Sequence, residues 1–84
     1  MTRRKLVAGN WKMNGSRRAL SELDAILAAA KAAPAVDVAV AVPFTLIDPA
    51  AQRAPDLAIG AEDIHEAASG AHTGCVSAAM VQEA

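Results

Sequence analysis

The chain is poor in aromatic residues and in cysteine: one tryptophan, one phenylalanine, no tyrosine and one cysteine among 84 residues. A single thiol, Cys75, excludes an intrachain disulfide and suits a reducing cytosol. Trp11 and Phe44 are too isolated to make a stacking platform for single-stranded nucleic acid. An excess of either charge is also lacking. Eight Lys and Arg against nine Asp and Glu leave a net charge of −1, which offers no electrostatic footprint for DNA, RNA or an acidic membrane. No apolar run is long enough to span a bilayer. The basic start at Arg3, Arg4 and Lys5 leads into an apolar run that breaks at Gly9 and Asn10, too soon for a signal-peptide core. The expectation is a cytoplasmic protein without nucleic-acid or membrane partners.

What is present is a core. Apolar residues make up 54% of the chain, and the length allows one small domain. A chain this short buries only about 60% of its unfolded surface, so its stability is marginal. Leu6 to Trp11 reads as a buried strand, and Ser16 as the N-cap of a helix carrying Leu20, Leu23, Leu27 and Ala30 at helical spacing. That helix stops before Pro34. Val36, Val38, Val40 and Val42 alternate with Asp37, Ala39 and Ala41, a strand with one bulky face and one small one. "FTLIDPAAQRA" supports a second helix, with Asp48 as cap and Pro49 in the first turn. Leu57 to Ala61 is a third strand, His65 to Gly74 a loop, and Ser77 caps the opening turns of a third helix over Ala78 to Ala84. The order β-α-β-α-β argues for an α/β fold with a parallel sheet and right-handed crossovers. Three such strands leave two unpaired edges, and the chain ends inside a helix. The expectation is therefore a piece of a larger domain.

Strand alternation places Leu6, Ala8, Asn10 and Lys12 on one face, so Asn10 and Lys12 project together from the C-terminal end of the first strand. Ligands bind at that end in α/β sheets and barrels. A lysine there offers a point charge for a phosphate or a developing oxyanion, and an asparagine a fixed amide donor. The plainer alternative is a solvated lysine beside a turn-forming asparagine. A nucleotide-binding half-domain needs a glycine-rich phosphate loop after the first strand, and "GNWKMNGS" has none. His72 and Cys75 have ligand-like spacing, but no second Cys or His pair accompanies them, so no metal site is expected.

"VAGNWKMNG", "VAVPFTLID" and "SGAHTGCVSAAM", in this order and at these separations, resemble the first third of the triosephosphate isomerase family. The resemblance runs through essentially the whole chain. It implies the first three strands of a (β/α)8 TIM barrel, truncated inside the third helix, with residues 1–84 as the N-terminal part of a single barrel domain. It further implies a homodimer that interconverts dihydroxyacetone phosphate and D-glyceraldehyde 3-phosphate in glycolysis and gluconeogenesis, without a cofactor. Asn10 and Lys12 match the family's substrate-binding pair. Lys12 also matches the catalytic lysine that stabilises charge on the enediolate beside the phosphate. The loop matching Ser69 to Gly74 enters the other subunit in the family. Thr73 matches the threonine that supports the partner's active-site asparagine, and Met13 a position enclosed by that loop.

The family's general base is a glutamate and its electrophile a histidine, both on later strands and loops. His65, His72, Glu62 and Glu66 match neither role, so the 84 residues alone are expected to be inactive. Two departures stand out: Glu62 replaces the family's usual glutamine, and Cys75 a commonly acidic residue. Glu62 is expected to compete with the phosphate for Lys12, and Cys75 to lose an ion pair at the subunit contact. The alternative reading is a non-catalytic barrel piece that only self-associates or complements another piece.

Overall fold

The structure is a computed structural model and describes residues 3–84. Three parallel strands, β1 (Lys5–Asn10), β2 (Val36–Val42) and β3 (Ala58–Ala61), form one sheet in the order β1-β2-β3. Between them lie a 3-10 turn (Arg17–Ser21) with α1 (Glu22–Ala32), then α2 (Phe44–Arg53); α3 (Ala78–Glu83) follows β3. Strand order that never reverses, with each crossover of the same hand, keeps every connecting helix on one side of the sheet. A doubly wound sheet reverses its order and is covered on both sides; a barrel does not.

The valine alternation of β2 decides which side that is. Val40 and Val42 are buried against Leu23 of α1 and Leu46, Ile47 and Ala50 of α2, with Leu20, Ala54 and Leu57 completing the core. The register carries this face across the sheet, Gly9 beside Val40 beside Ile59. The opposite face begins with Leu6 beside Asp37 and continues toward the C-terminal ends in rows of mostly small residues, Ala8–Ala39–Ala58 and then Asn10–Ala41–Gly60. No helix covers it among the described residues, and Leu6 on that face is 65% exposed. Parallel sheets are otherwise buried on both faces.

The small face therefore leads, at the C-terminal ends of the strands, to Asn10 and the loops that follow β1 and β3. Those ends lie on one rim because the strands are parallel.

Several sequence expectations are corrected here. The first strand is shifted toward the N-terminus, Lys5–Asn10 in place of Leu6 to Trp11, although Trp11 N still donates to Ala41 O at 3.0 Å, and the third starts at Ala58 rather than Leu57. Ser16 caps nothing with its side chain. Its backbone carbonyl instead accepts from Ala19 N at 2.9 Å and starts the 3-10 turn, so the α-helix begins only at Glu22. Asp48 is not a cap either. Pro43 occupies the N-cap of α2, and Pro49 lies inside the helix rather than in its first turn. Pro43 holds Val42 extended, which ends β2 and lets the helix start at once. The Asp48 carboxylate accepts from Gln52 Nε2 one turn on, at 2.9 Å. Ser77 does cap α3, its hydroxyl accepting from Met80 N at 3.3 Å.

Candidate active site

The ladder of β1 ends at Asn10, and the alternation ends with it. Lys12 has φ 58° and is the one non-glycine residue with positive φ among those described. It therefore reaches the rim not as the next residue of a strand, as its spacing suggests, but through a left-handed turn. Residues other than glycine, asparagine and aspartate enter that region at a cost of about 1–2 kcal/mol, because their Cβ crowds the backbone carbonyl. Such a residue persists only where its surroundings over-determine it, and these residues gather at ligand sites.

The surroundings are specific. Asn10 Oδ1 accepts from Lys12 N at 2.8 Å, and Asn14 Nδ2 donates to Trp11 O at 2.8 Å. Because Lys12 N is a donor, the oxygen of the Asn10 amide faces it, and the Asn10 Nδ2 group remains as a donor at the rim. Gly15 then has φ 104°, and a Cβ there would lie 2.9 Å from Cε3 of Trp11 and 3.1 Å from Cδ1 of Leu46. Only a glycine lets the indole lie against the returning chain. Lys12, Met13 and Asn14 are exposed, Met13 at 95%. The rim thus presents an amide and a lysine held two residues apart by the backbone itself. Such a pair can receive an anionic oxygen.

The second loop on this rim runs from Glu62 to Ser77. His65 N donates to Val76 O at 2.8 Å, closing the loop at its base beside an isolated bridge between His65 and Ser77. Inside it, Ala67 N donates to His65 Nδ1 at 2.9 Å, and the His65 and His72 rings stack with centroids 3.9 Å apart. Cys75 N donates to His72 O at 3.0 Å. Gly70 and Gly74, with φ 137° and 87°, make its two sharp turns. Thr73 and Cys75 are exposed on this loop, and so are Glu62 and Asp63 where it leaves β3. Among the described residues, no three His, Cys, Asp or Glu side chains gather to hold a metal ion.

The family model that matches is Triosephosphate isomerase, over residues 5–84. The chain belongs to the triosephosphate isomerase family. It is 57% identical over 83 residues to the triosephosphate isomerase of Jannaschia sp. (strain CCS1), covering 96% of this chain and 33% of the relative. It is 53% identical over 81 residues to that of Ruegeria sp. (strain TM1040), covering 96% and 32%. Its fold matches the crystal structure of triosephosphate isomerase from Bartonella henselae with a TM-score of 0.87 at 35% identity, covering 95% of this chain and 34% of that one. The chain thus spans about a third of the length of the relatives it matches. Its three strands and their helices correspond to the N-terminal part of a TIM barrel.

Membership of an isomerase family explains the uncovered small-residue face. In a barrel that face turns inward, where side chains from several strands pack in layers. Sequence reasoning singled out Asn10, Lys12, Met13 and Thr73 but assigned nothing to Asn14 or Gly15. The signal was present, since Asn-Gly is among the strongest turn signatures. What the signature does not tell is which carbonyl the asparagine amide holds.

Proposed function

We propose that residues 1–84 form the N-terminal third of a single barrel domain, residues 1–2 lying outside those described, and supply the phosphate-side residues of a triose-phosphate isomerase. The reaction is the interconversion of dihydroxyacetone phosphate and D-glyceraldehyde 3-phosphate, with no cofactor. Lys12 places its ammonium by the phosphate dianion and stabilises charge as the enediolate develops, and Asn10 Nδ2 donates to the substrate. The single observation that carries this reading is the strained Lys12, φ 58°, held against Asn10 at the C-terminal rim of a chain from this family. By resemblance the general base and the electrophile stand on later strands, so the 84 residues by themselves are inactive. Met13 and Thr73 belong to the subunit contact of a homodimer working in the cytoplasm. Both side chains are exposed, which supports that assignment. No helix among the described residues is long and apolar enough to cross a membrane.

The test is a hybrid in which residues 1–84 replace the corresponding third of the Jannaschia enzyme, assayed for isomerase activity beside the chain alone. The hybrid is expected to turn over triose phosphate and the chain alone to show none above background. Activity in the isolated chain, or a folded hybrid with none, contradicts the proposal. A second reading, a binding piece without chemistry, is favoured by the open sheet face with Leu6 65% exposed. Sedimentation separates the two: it demands self-association of the isolated chain and an inert hybrid.

A further inference from the structure

We infer that Asn14 is a positioning residue for Lys12 and acts with Asn10 as a clamp on a single peptide unit. The inference rests on the proposed reading of Lys12 as the residue that meets the phosphate. The unit is the one joining Trp11 to Lys12. Its N–H, on Lys12, donates to Asn10 Oδ1; its C=O, on Trp11, accepts from Asn14 Nδ2; both distances are 2.8 Å. A trans peptide is planar, and its N–H and C=O point to opposite sides. Holding both ends fixes the plane against rotation about the chain direction. That rotation is the motion that changes ψ of Trp11 and φ of Lys12 together, so the two asparagines set the lysine at φ 58°.

The neighbouring groups complete the clamp. The preceding peptide is tied to the sheet by Trp11 N donating to Ala41 O at 3.0 Å. The Trp11 ring lies against Gly15, whose missing Cβ leaves the room. One N–H of Asn14 Nδ2 is held by the Trp11 carbonyl, which gives this residue a backbone-holding role, while the proposed reading leaves substrate contact to Asn10 and Lys12. Asn10 serves twice: its oxygen orients Lys12, and its amide nitrogen remains a donor. Asn14 is exposed and the core lies elsewhere, so removing its side chain releases Lys12 without opening a cavity.

Two measurements test this. In the 84-residue chain, hydrogen exchange of the Lys12 amide is read by NMR for the parent, Asn14→Ala and Asn14→Ser. Serine is the restoring variant because a serine in this chain already reaches the carbonyl three residues back: Ser21 Oγ donates to Arg18 O at 3.3 Å. Exchange about tenfold faster in Asn14→Ala, and largely restored in Asn14→Ser, is expected. An unchanged rate in Asn14→Ala overturns the clamp, whatever the enzyme does. In the hybrid enzyme, Asn14→Ala is expected to lower kcat/KM by about tenfold to a hundredfold with an unchanged melting temperature. The serine variant recovers most of that loss. A fall in melting temperature with kcat/KM intact overturns positioning in favour of a purely structural role. Should Asn14→Ala speed exchange while Lys12→Ala leaves hybrid activity untouched, the clamp stands as geometry. The assignment of Lys12, and with it the positioning role, then fails.

Discussion

The two loops on the C-terminal rim are built in opposite ways. The loop after β1 is short and tied outward: Trp11 N bonds to β2, and the Trp11 ring lies against Gly15 and packs on the core. The loop after β3 is long and tied to itself, through His65 N to Val76 O, Ala67 N to His65 Nδ1 and the His65–His72 stack. The first holds one residue, Lys12, in a conformation it does not prefer. The second holds a whole surface, with Thr73 and Cys75 exposed on it. A loop anchored to the scaffold fixes a side chain relative to the sheet, which is what a reacting group needs. A loop braced by its own groups keeps its shape as a unit, as compact surface loops do. That suits a segment that docks elsewhere.

The contrast can be broken at chosen points. The largest effect is expected at Gly15→Ala, where the new Cβ meets the Trp11 ring at 2.9 Å and the backbone has φ 104°. A loss of about 1–3 kcal/mol in unfolding free energy is expected, with chemical-shift changes centred on Trp11 and Lys12. The second loop should not respond. Next comes His65→Ala, which removes the acceptor for Ala67 N and the ring beneath His72. It should cost about 1 kcal/mol and speed exchange at Ala67, leaving Lys12 unchanged. Response of both loops to either substitution would remove the distinction between them.

The smallest effect sharpens the comparison by touching neither loop. The Arg53 guanidinium donates two hydrogen bonds to Asp24, at 2.8 and 3.1 Å, and holds its carboxyl below the usual aspartate value. A carboxyl with a lowered folded-state pKa contributes stability above its unfolded pKa and loses it as pH falls through the folded one. Both side chains are exposed, so the contribution is slight and screened by salt. In Asp24→Asn the acid limb of the stability profile should flatten a little. Amide shifts at Lys12 and His65 should stay in place.

Much of the scaffold was legible in the sequence because its signals are local. The valine alternation of β2 and the leucine spacing of α1 survive in the structure, as does the Ser77 cap. Pro49 misled because a proline in a helix's first turn and one inside the helix look alike in isolation; Pro43, next to β2, sets the true start. Strand alternation brought Asn10 and Lys12 to the same rim but could not foresee a left-handed lysine, since that depends on two asparagine side chains reaching back to the backbone. The uncovered sheet face followed from an unreversed strand order, which sequence order alone does not fix.

The central claim is that Lys12 carries the phosphate-side chemistry of a triose-phosphate isomerase. It is tested most directly by kcat/KM of the hybrid enzyme with Lys12→Ala against its parent. Removing a charge aimed at a developing anion is expected to lower kcat/KM by about a hundredfold to a thousandfold with the fold intact. A Lys12→Ala hybrid that keeps its parent's kcat/KM would contradict the account.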